Sequence, residues 1–237
     1  VYWFQDSKIG HLNQVQALLD ELSKENELAI TKIQCPKRSI LNWLKSFLPS
    51  APIENQKDGV ILLIGAGHST YPQILKTQQT LKKTANLLSV AILKPSFNAN
   101  AFDLVCAPEH DYPSTKKPNN VHAFKGSLAT TSLIEPTPNK GIIGLGGSSK
   151  HYDFDSELVG KQIEYVLTTH PHHHFNIYNS RRTPSSLNQA IKDMSQEFQN
   201  FTFIDMESPK AKSFQEDLQT SELKFVTPDS SNLVFEA

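Results

Sequence analysis

The sequence predicts an α/β protein built from two successive series of alternating strands and helices. Three observations carry that reading. Val60-Ile61-Leu62-Leu63-Ile64 is continuously apolar, as strands buried on both faces of a parallel sheet are. Leu12, Val15, Leu18, Leu19 and Leu22 recur at the 3–4 spacing of an amphipathic helix. The segment Thr131 to Lys140 carries two prolines and no helical period, and after it the alternation starts again.

The elements follow in order. Val1 to Phe4 reads as a strand, Gln5 to Gly10 as a loop, His11 to Leu22 as a helix, Leu28 to Ile33 as a strand and Ser39 to Leu48 as a short helix. Val60 to Ile64 leads through Gly65-Ala66-Gly67 into a helix expected from Pro72 to Leu88, with proline in the first turn where its missing N–H costs nothing. Strands follow at Ser89–Leu93, Leu104–Ala107 and Asn120–Phe124. The second series has strands at Gly141–Leu145, Phe175–Tyr178, Phe201–Ile204 and Lys224–Val226, with helices at Asp155–Thr168 and Ser185–Gln199. Such βαβ series imply right-handed crossovers and two Rossmann-like domains facing a cleft, residues 1–135 and 141–237. Leu233-Val234-Phe235 reads as the opening of a helix, so the second domain is expected to be truncated.

Composition narrows the function classes. With 23 Lys+Arg against 24 Asp+Glu, the net charge of −1 removes the basic footprint a nucleic-acid binder needs. No stretch approaches the ~20 apolar residues of a transmembrane helix. Trp43, Leu44, Phe47 and Leu48 form an apolar stripe that suits either the core or peripheral contact with a bilayer. Two cysteines, Cys35 and Cys106, are too few for a disulfide framework or a zinc cage, which points to a reduced, cytoplasmic protein.

Candidate chemistry sits at strand-to-helix loops, the carboxyl edge where open α/β sheets bind ligands. Gln5 to His11 offers Gly10 and a histidine, His11, the side-chain type that most often serves as a general base; the plain alternative is a glycine turn with an exposed imidazole. Gly65-Ala66-Gly67-His68-Ser69-Thr70 begins like a dinucleotide fingerprint, but Thr70 replaces the third glycine and no acidic residue follows at ribose distance, so no nicotinamide cofactor is expected. Gly146-Gly147-Ser148 lets backbone N–H groups approach phosphate oxygens without the spacing of an ATPase loop. Arg181 and Arg182 follow a strand, and one of them is expected to point inward at a phosphate. Asp229 or Ser230 would cap the last helix, which carries Glu236. Glu109 and Asp111 follow another strand and form a secondary acidic candidate. The histidines at 170 and 172–174 crowd one connection, but side chains at consecutive positions diverge, so no metal site is expected.

These motifs combine. Gln5-Asp6-Ser7-Lys8-Ile9-Gly10-His11-Leu12-Asn13-Gln14 resembles the D-x-x-x-G-H-x-N-Q opening of the mitochondrial-fission ELM family. Gly65-Ala66-Gly67, Phe102-Asp103-Leu104-Val105, Pro108-Glu109-His110-Asp111, Gly146 to Tyr152, Ser180 to Pro184 and Thr227 to Ser230 look like its later signatures in the same order. Asp205 to Ser221 lacks the Asn-Pro-Tyr segment such a family member would carry. The resemblance implies a GT-B-like architecture and a nucleotide-sugar-dependent glycosyltransferase working in the interdomain cleft on an unknown acceptor, with no cofactor beyond the nucleotide-diphosphate donor. It implies that Gly146, Gly147 and Ser148 hold the diphosphate with Arg181 or Arg182, that Glu236 accepts the ribose hydroxyls, and that Gly10 and His11 face the transferred sugar. With no DxD-like pair in place, metal-independent chemistry is implied. The alternatives are a 2-epimerase-like enzyme using Glu109 and Asp111, or a non-enzymatic scaffold of the same shell.

Overall fold

The computed structural model describes residues 1–36, 59–83, 85–112, 117–130, 134–149 and 152–237. The expected helix at Ser39–Leu48, its apolar stripe, and Lys150 and His151 lie outside the described residues. The chain divides into two compact units, Val1–Thr130 and Thr131–Ala237.

The first unit is a six-stranded sheet: β1 (Tyr2–Gln5), β2 (Thr31–Gln34), β3 (Ile61–Ala66), β4 (Leu87–Ile92), β5 (Leu104–Pro108) and β6 (Val121–Phe124). Its order is β2-β1-β3-β4-β5-β6 and every pairing is parallel. Helices α1 (Ile9–Ser23) and α2 (Tyr71–Leu81) follow β1 and β3. Because successive strand residues face opposite ways, Phe4, Leu63 and Ala91 pack with Tyr71, Ile74 and Phe102 on one side. Trp3, Ile64, Val90 and Ile92 pack with Val15 and Leu19 on the other. Burial on both faces is what makes these strands continuously apolar.

The second unit has β7 (Thr137–Gly144), β8 (His174–Tyr178), β9 (Phe201–Ile204) and β10 (Ser221–Val226), ordered β10-β7-β8-β9 and again parallel. α3 (Ser156–Thr169) and α4 (Ser185–Met194) cover the face carrying Ile143, Phe175 and Ile177. α5 (Phe214–Thr220) packs on the face of Ile142 and Tyr178, and α6 (Ser231–Glu236) sets Leu233 there. Asp217 of α5 is buried and accepts hydrogen bonds from Asn176 (2.7 Å) and Tyr178 (2.5 Å) beside an ion pair with Lys140 (2.8 Å). Burial alone pushes its carboxyl up, but the bonds from Lys140, Tyr178 and Asn176 outweigh it and hold the group below the ordinary carboxylate range.

Three sequence expectations need correction. The helix expected to run to Leu88 ends at Leu81, because Leu87 and Leu88 open β4. The second helix of the second series stops at Met194, short of Gln199. The supposed linker to Lys140 already contains the start of β7. Pro138 is tolerated there because the ladder is irregular: Asn139 has φ +61°, and the β10–β7 register shifts between Ser221 and Leu223.

Candidate functional site

In each unit the strand order reverses at one place, and there the loops of two adjacent parallel strands diverge to leave a crevice. In the first unit that place lies between β1 and β3. The loop after β1 carries Asp6, which is buried and whose Oδ1 accepts the Lys8 N–H at 3.0 Å, closing a local turn. Its other oxygen, Oδ2, lies 2.7 Å from Nδ1 of His11 in the first turn of α1. The imidazole is 17% exposed. Nε2 makes no hydrogen bond among the described residues, so the carboxylate orients the ring and leaves one nitrogen to face outward.

The loop after β3 completes this arrangement. Gly67 has φ +86°, a conformation side chains avoid, and a methyl group added to it would collide with the His11 ring. The turn is then fixed by Thr70, whose buried hydroxyl donates to the Gly67 carbonyl at 2.8 Å. The result is a tight strand-to-helix turn. Gly10 lies in the first turn of α1 and gives its carbonyl to Gln14 Nε2 at 3.3 Å.

Glu109 and Asp111 occupy a single turn after β5. β5 stands three strand positions from β1, about 14 Å at ~4.8 Å per strand, so they are not brought to His11 by the sheet. Lys94 donates to the Asp111 carbonyl at 2.5 Å and rides over the Tyr112 ring. Cys35, one residue past β2, has its thiol pushed up to about 12 by burial and then by the charge of Asp6, so it stays protonated and un-nucleophilic at neutral pH.

In the second unit the order reverses between β7 and β10. Asp229, after β10, has a fully buried side chain. Its Oδ2 accepts from Arg182 Nη2 (2.6 Å) and the Gly147 N–H (3.1 Å); its Oδ1 accepts from Thr227 Oγ1 (2.7 Å). Arg182 Nη1 also donates to the Gly147 carbonyl at 3.0 Å. Thr227 in turn accepts the Gly146 N–H at 2.7 Å, and Thr183 and Ser180 donate to the Gly146 carbonyl at 2.6 and 3.1 Å. Three loops, after β7, β8 and β10, are thereby tied around one carboxylate.

This changes the role of several expected residues. Gly146 and Gly147 are required by their own neighbours: a methyl on Gly146 would strike the Asp229 carboxylate, and one on Gly147 the Arg182 backbone. The Gly147 N–H assigned to a phosphate is donated to Asp229 instead. Both arginines are exposed, as is Ser148; Arg182 is the one that reaches Asp229, with its side chain still 42% exposed. Ser230 caps α6, accepting the Leu233 N–H at 3.4 Å, so Asp229 is released from capping. Glu236 accepts from Gln215 Nε2 at 3.3 Å. Asp6, Thr183 and Thr227 carry the geometry of the two crevices without having been given roles from the sequence. The histidines between 170 and 174 face separate partners: His170 the Val166 carbonyl, His173 Glu222, His174 Thr202. Among the described residues no group of three His, Cys, Asp or Glu side chains converges on a point where a metal ion would sit.

A family model described as Mitochondrial fission ELM1 matches residues 9–237. The chain belongs to that family. Nothing among curated proteins matches the sequence of this ELM1-family chain. Among solved structures it is similar to the Staphylococcus aureus MnaA–UDP co-structure, at 11% identity and a TM-score of 0.54, over 98% of this chain and 74% of that one. It is similar also to UDP-GlcNAc 2-epimerase from Methanocaldococcus jannaschii, at 10% identity and a TM-score of 0.54, over 100% of this chain and 80% of that one. At such identities the likeness is one of fold: the ELM1-family chain has the GT-B-like class of two Rossmann-like α/β units. No helix among the described residues is long and apolar enough to cross a membrane.

Proposed function

We propose that this chain is a metal-independent glycosyltransferase that takes a nucleoside-diphosphate sugar as donor. The donor class is suggested by the proteins that share its fold, the MnaA–UDP structure and the UDP-GlcNAc 2-epimerase among them. The chemistry rests on one observation, the 2.7 Å contact of His11 Nδ1 with Asp6. A carboxylate on Nδ1 fixes the neutral ring with its proton there, making Nε2 the basic nitrogen, and it stabilises the imidazolium once a proton arrives. In the proposed step Nε2 takes the proton of an acceptor hydroxyl as that oxygen bonds to the anomeric carbon. The bond from that carbon to the diphosphate oxygen breaks, and the nucleoside diphosphate leaves with the electron pair. In the second unit, Arg182 uses two of its N–H groups on Asp229 and Gly147 and retains three for an anionic ligand.

A 2-epimerase-like reaction is the alternative, drawn from the named neighbour and from the acidic pair Glu109 and Asp111. It differs in needing no acceptor. The first experiment is thermal stability against a panel of UDP, GDP, ADP, TDP and CMP sugars: a ligand at ~100 times its Kd adds about 2.7 kcal/mol and raises the midpoint by a few degrees. The nucleotide found is then used with wild type and His11→Ala. Transfer predicts turnover about 10²–10⁴-fold lower with donor binding retained. A sugar isomer formed without acceptor supports epimerisation. No shift with any nucleotide overturns both readings and leaves the scaffold.

A further inference from the structure

The loop after β4 has a conformation that neither crevice accounts for. Leu93 has φ +72°, a region that branched side chains rarely enter. It is held there from two sides. Its N–H donates to the Cys106 carbonyl at 2.8 Å, and its own carbonyl accepts from the Tyr71 hydroxyl at 3.0 Å. The same hydroxyl donates to the Ile92 carbonyl at 2.7 Å, and the Tyr71 side chain is fully buried. Phe97, four residues past Leu93, packs edge-on against the Tyr71 ring with centroids 6.2 Å apart, and tilted against Phe102 at 6.0 Å. Two aromatic neighbours thus fix the Phe97 ring, yet it stays 42% exposed. An aromatic ring held at the surface by a pinned loop is a preorganised contact surface.

Its place relative to His11 follows from Tyr71. His68 is exposed and meets the Tyr71 ring edge-on at 5.8 Å, so His68 and Phe97 flank one buried ring. His68 follows Gly67, where an added methyl would strike the His11 ring. Burial pushes the Tyr71 phenol up, a backbone hydrogen bond at Gly67 opposes the rise, and the charge of Asp6 adds to it. Tyr71 therefore joins the loops that orient His11 to the loop that bears Phe97, all at the carboxyl edge of the first sheet.

What surrounds the ring says what would lie on it. Phe97 stands between Ser96 and Asn98, both exposed. Asn98 Oδ1 accepts the Asn100 N–H at 3.0 Å, which leaves its NH2 group to donate elsewhere. Lys94, the cation of this loop, is engaged by the Asp111 carbonyl and the Tyr112 ring, so charge is not what the loop offers. An aromatic face rimmed by uncharged hydrogen-bonding groups matches a pyranose. That ring carries C–H bonds on one face, attracted to the negative face of the aromatic, and hydroxyls around its edge. An alkyl chain would strip water from Ser96 and Asn98 without replacing the hydrogen bonds. A wholly polar ligand would leave the Phe97 face in water.

From this juxtaposition we infer that the acceptor is a saccharide, one pyranose ring lying on Phe97 while a hydroxyl is presented to His11 Nε2. The role as acceptor rests on the transferase reading, whereas saccharide binding is measured without turnover.

The test is saturation-transfer NMR of the unmutated protein with cellobiose, maltose and chitobiose, and with uridine and hexanol as controls. At least one disaccharide is expected to bind, with transfer strongest to the C–H protons of one pyranose face. Phe97→Leu keeps an apolar side chain but removes the aromatic face, and is expected to weaken binding about two- to tenfold, while Phe97→Trp retains or tightens it. Phe235→Leu, at an exposed aromatic of the second unit, is expected to leave it unchanged. With a donor in hand, Phe97→Leu raises KM for the saccharide and keeps kcat. Binding by none of the disaccharides, equal binding by Phe97→Leu, or displacement of the sugar by uridine or hexanol overturns the inference. A nucleotide that binds where no saccharide does overturns it and leaves the transferase reading standing. Saccharide binding that depends on Phe97, with no nucleotide binding at all, overturns the transferase reading and leaves a carbohydrate site.

Discussion

The crevice of the first unit and that of the second are built on one plan and finished in opposite ways. Each lies where a parallel sheet reverses its strand order, and each centres on a buried aspartate one to three residues past a strand. Asp6 spends one oxygen on its own loop and the other on a single side chain, His11, whose second nitrogen is left to face outward. Asp229 spends both oxygens inside, on Thr227, Gly147 and Arg182. The same residue type in the same topological position thus orients a single imidazole in one unit and staples three loops in the other. What decides between the two is how many donors the neighbouring loops bring to the carboxylate.

That contrast can be broken most forcefully at Asp229. Asp229→Ala strands Arg182, the Gly147 N–H and Thr227 together, and is expected to cost about 3 kcal/mol in denaturant unfolding. Asp6→Ala removes fewer bonds and is expected to cost about half as much or less. Equal losses would show that both carboxylates are simply structural. Gly67→Ala comes next. It forces a side chain into φ +86° against the His11 ring, at a cost of ~1–2 kcal/mol and with turnover lowered alongside stability. His11→Ala sharpens the comparison by separating the two readouts, with stability changed by ~0.5 kcal/mol or less and turnover lowered about 10²–10⁴-fold.

A smaller effect appears with pH. Asp217 is held below its ordinary value in the folded state, so it contributes stability that is full above the unfolded carboxylate range and is lost as pH falls through the lowered folded value. Lys140→Met removes one of the bonds responsible, and acid unfolding of the second unit should then begin at a higher pH, followed by circular dichroism. Arg181→Ala, at an exposed position beside the arginine that bonds Asp229, is expected to change stability by less than ~0.5 kcal/mol.

Some of this was legible in the residues and some was not, for identifiable reasons. Strands such as Ile61–Ala66 announce themselves because a parallel sheet covered on both sides has no polar positions to interrupt the run. The start of β7 was hidden by Pro138 and Asn139, residues that ordinarily mark loops and are accommodated here by a shifted register. Residues 209–220 gave no reading because a proline turn followed by the seven residues of α5 is too short to show a period. His11 stood out from its glycine-containing loop. Its partner Asp6 did not acquire a role, since a five-residue separation across a loop obeys no helical or strand spacing. Asp229 invited reading as a helix cap because that is what an aspartate before a helix usually does. Its actual partners, Arg182 and Gly147, come from distant loops, and no local pattern announces them.

One topological feature reaches beyond the folded state. β1 lies inside its sheet, clasped by β2 on one side and β3 on the other, and β1 meets β3 only across about sixty residues of chain. β7 meets β10 across about eighty. While the polypeptide is being made at roughly 5–20 residues per second, each of these apolar strands emerges several seconds before the partner that will shield one of its edges. Both halves of the molecule therefore depend on long-range parallel pairings, the kind of contact that closes late, slows folding and leaves strand edges open in the meantime.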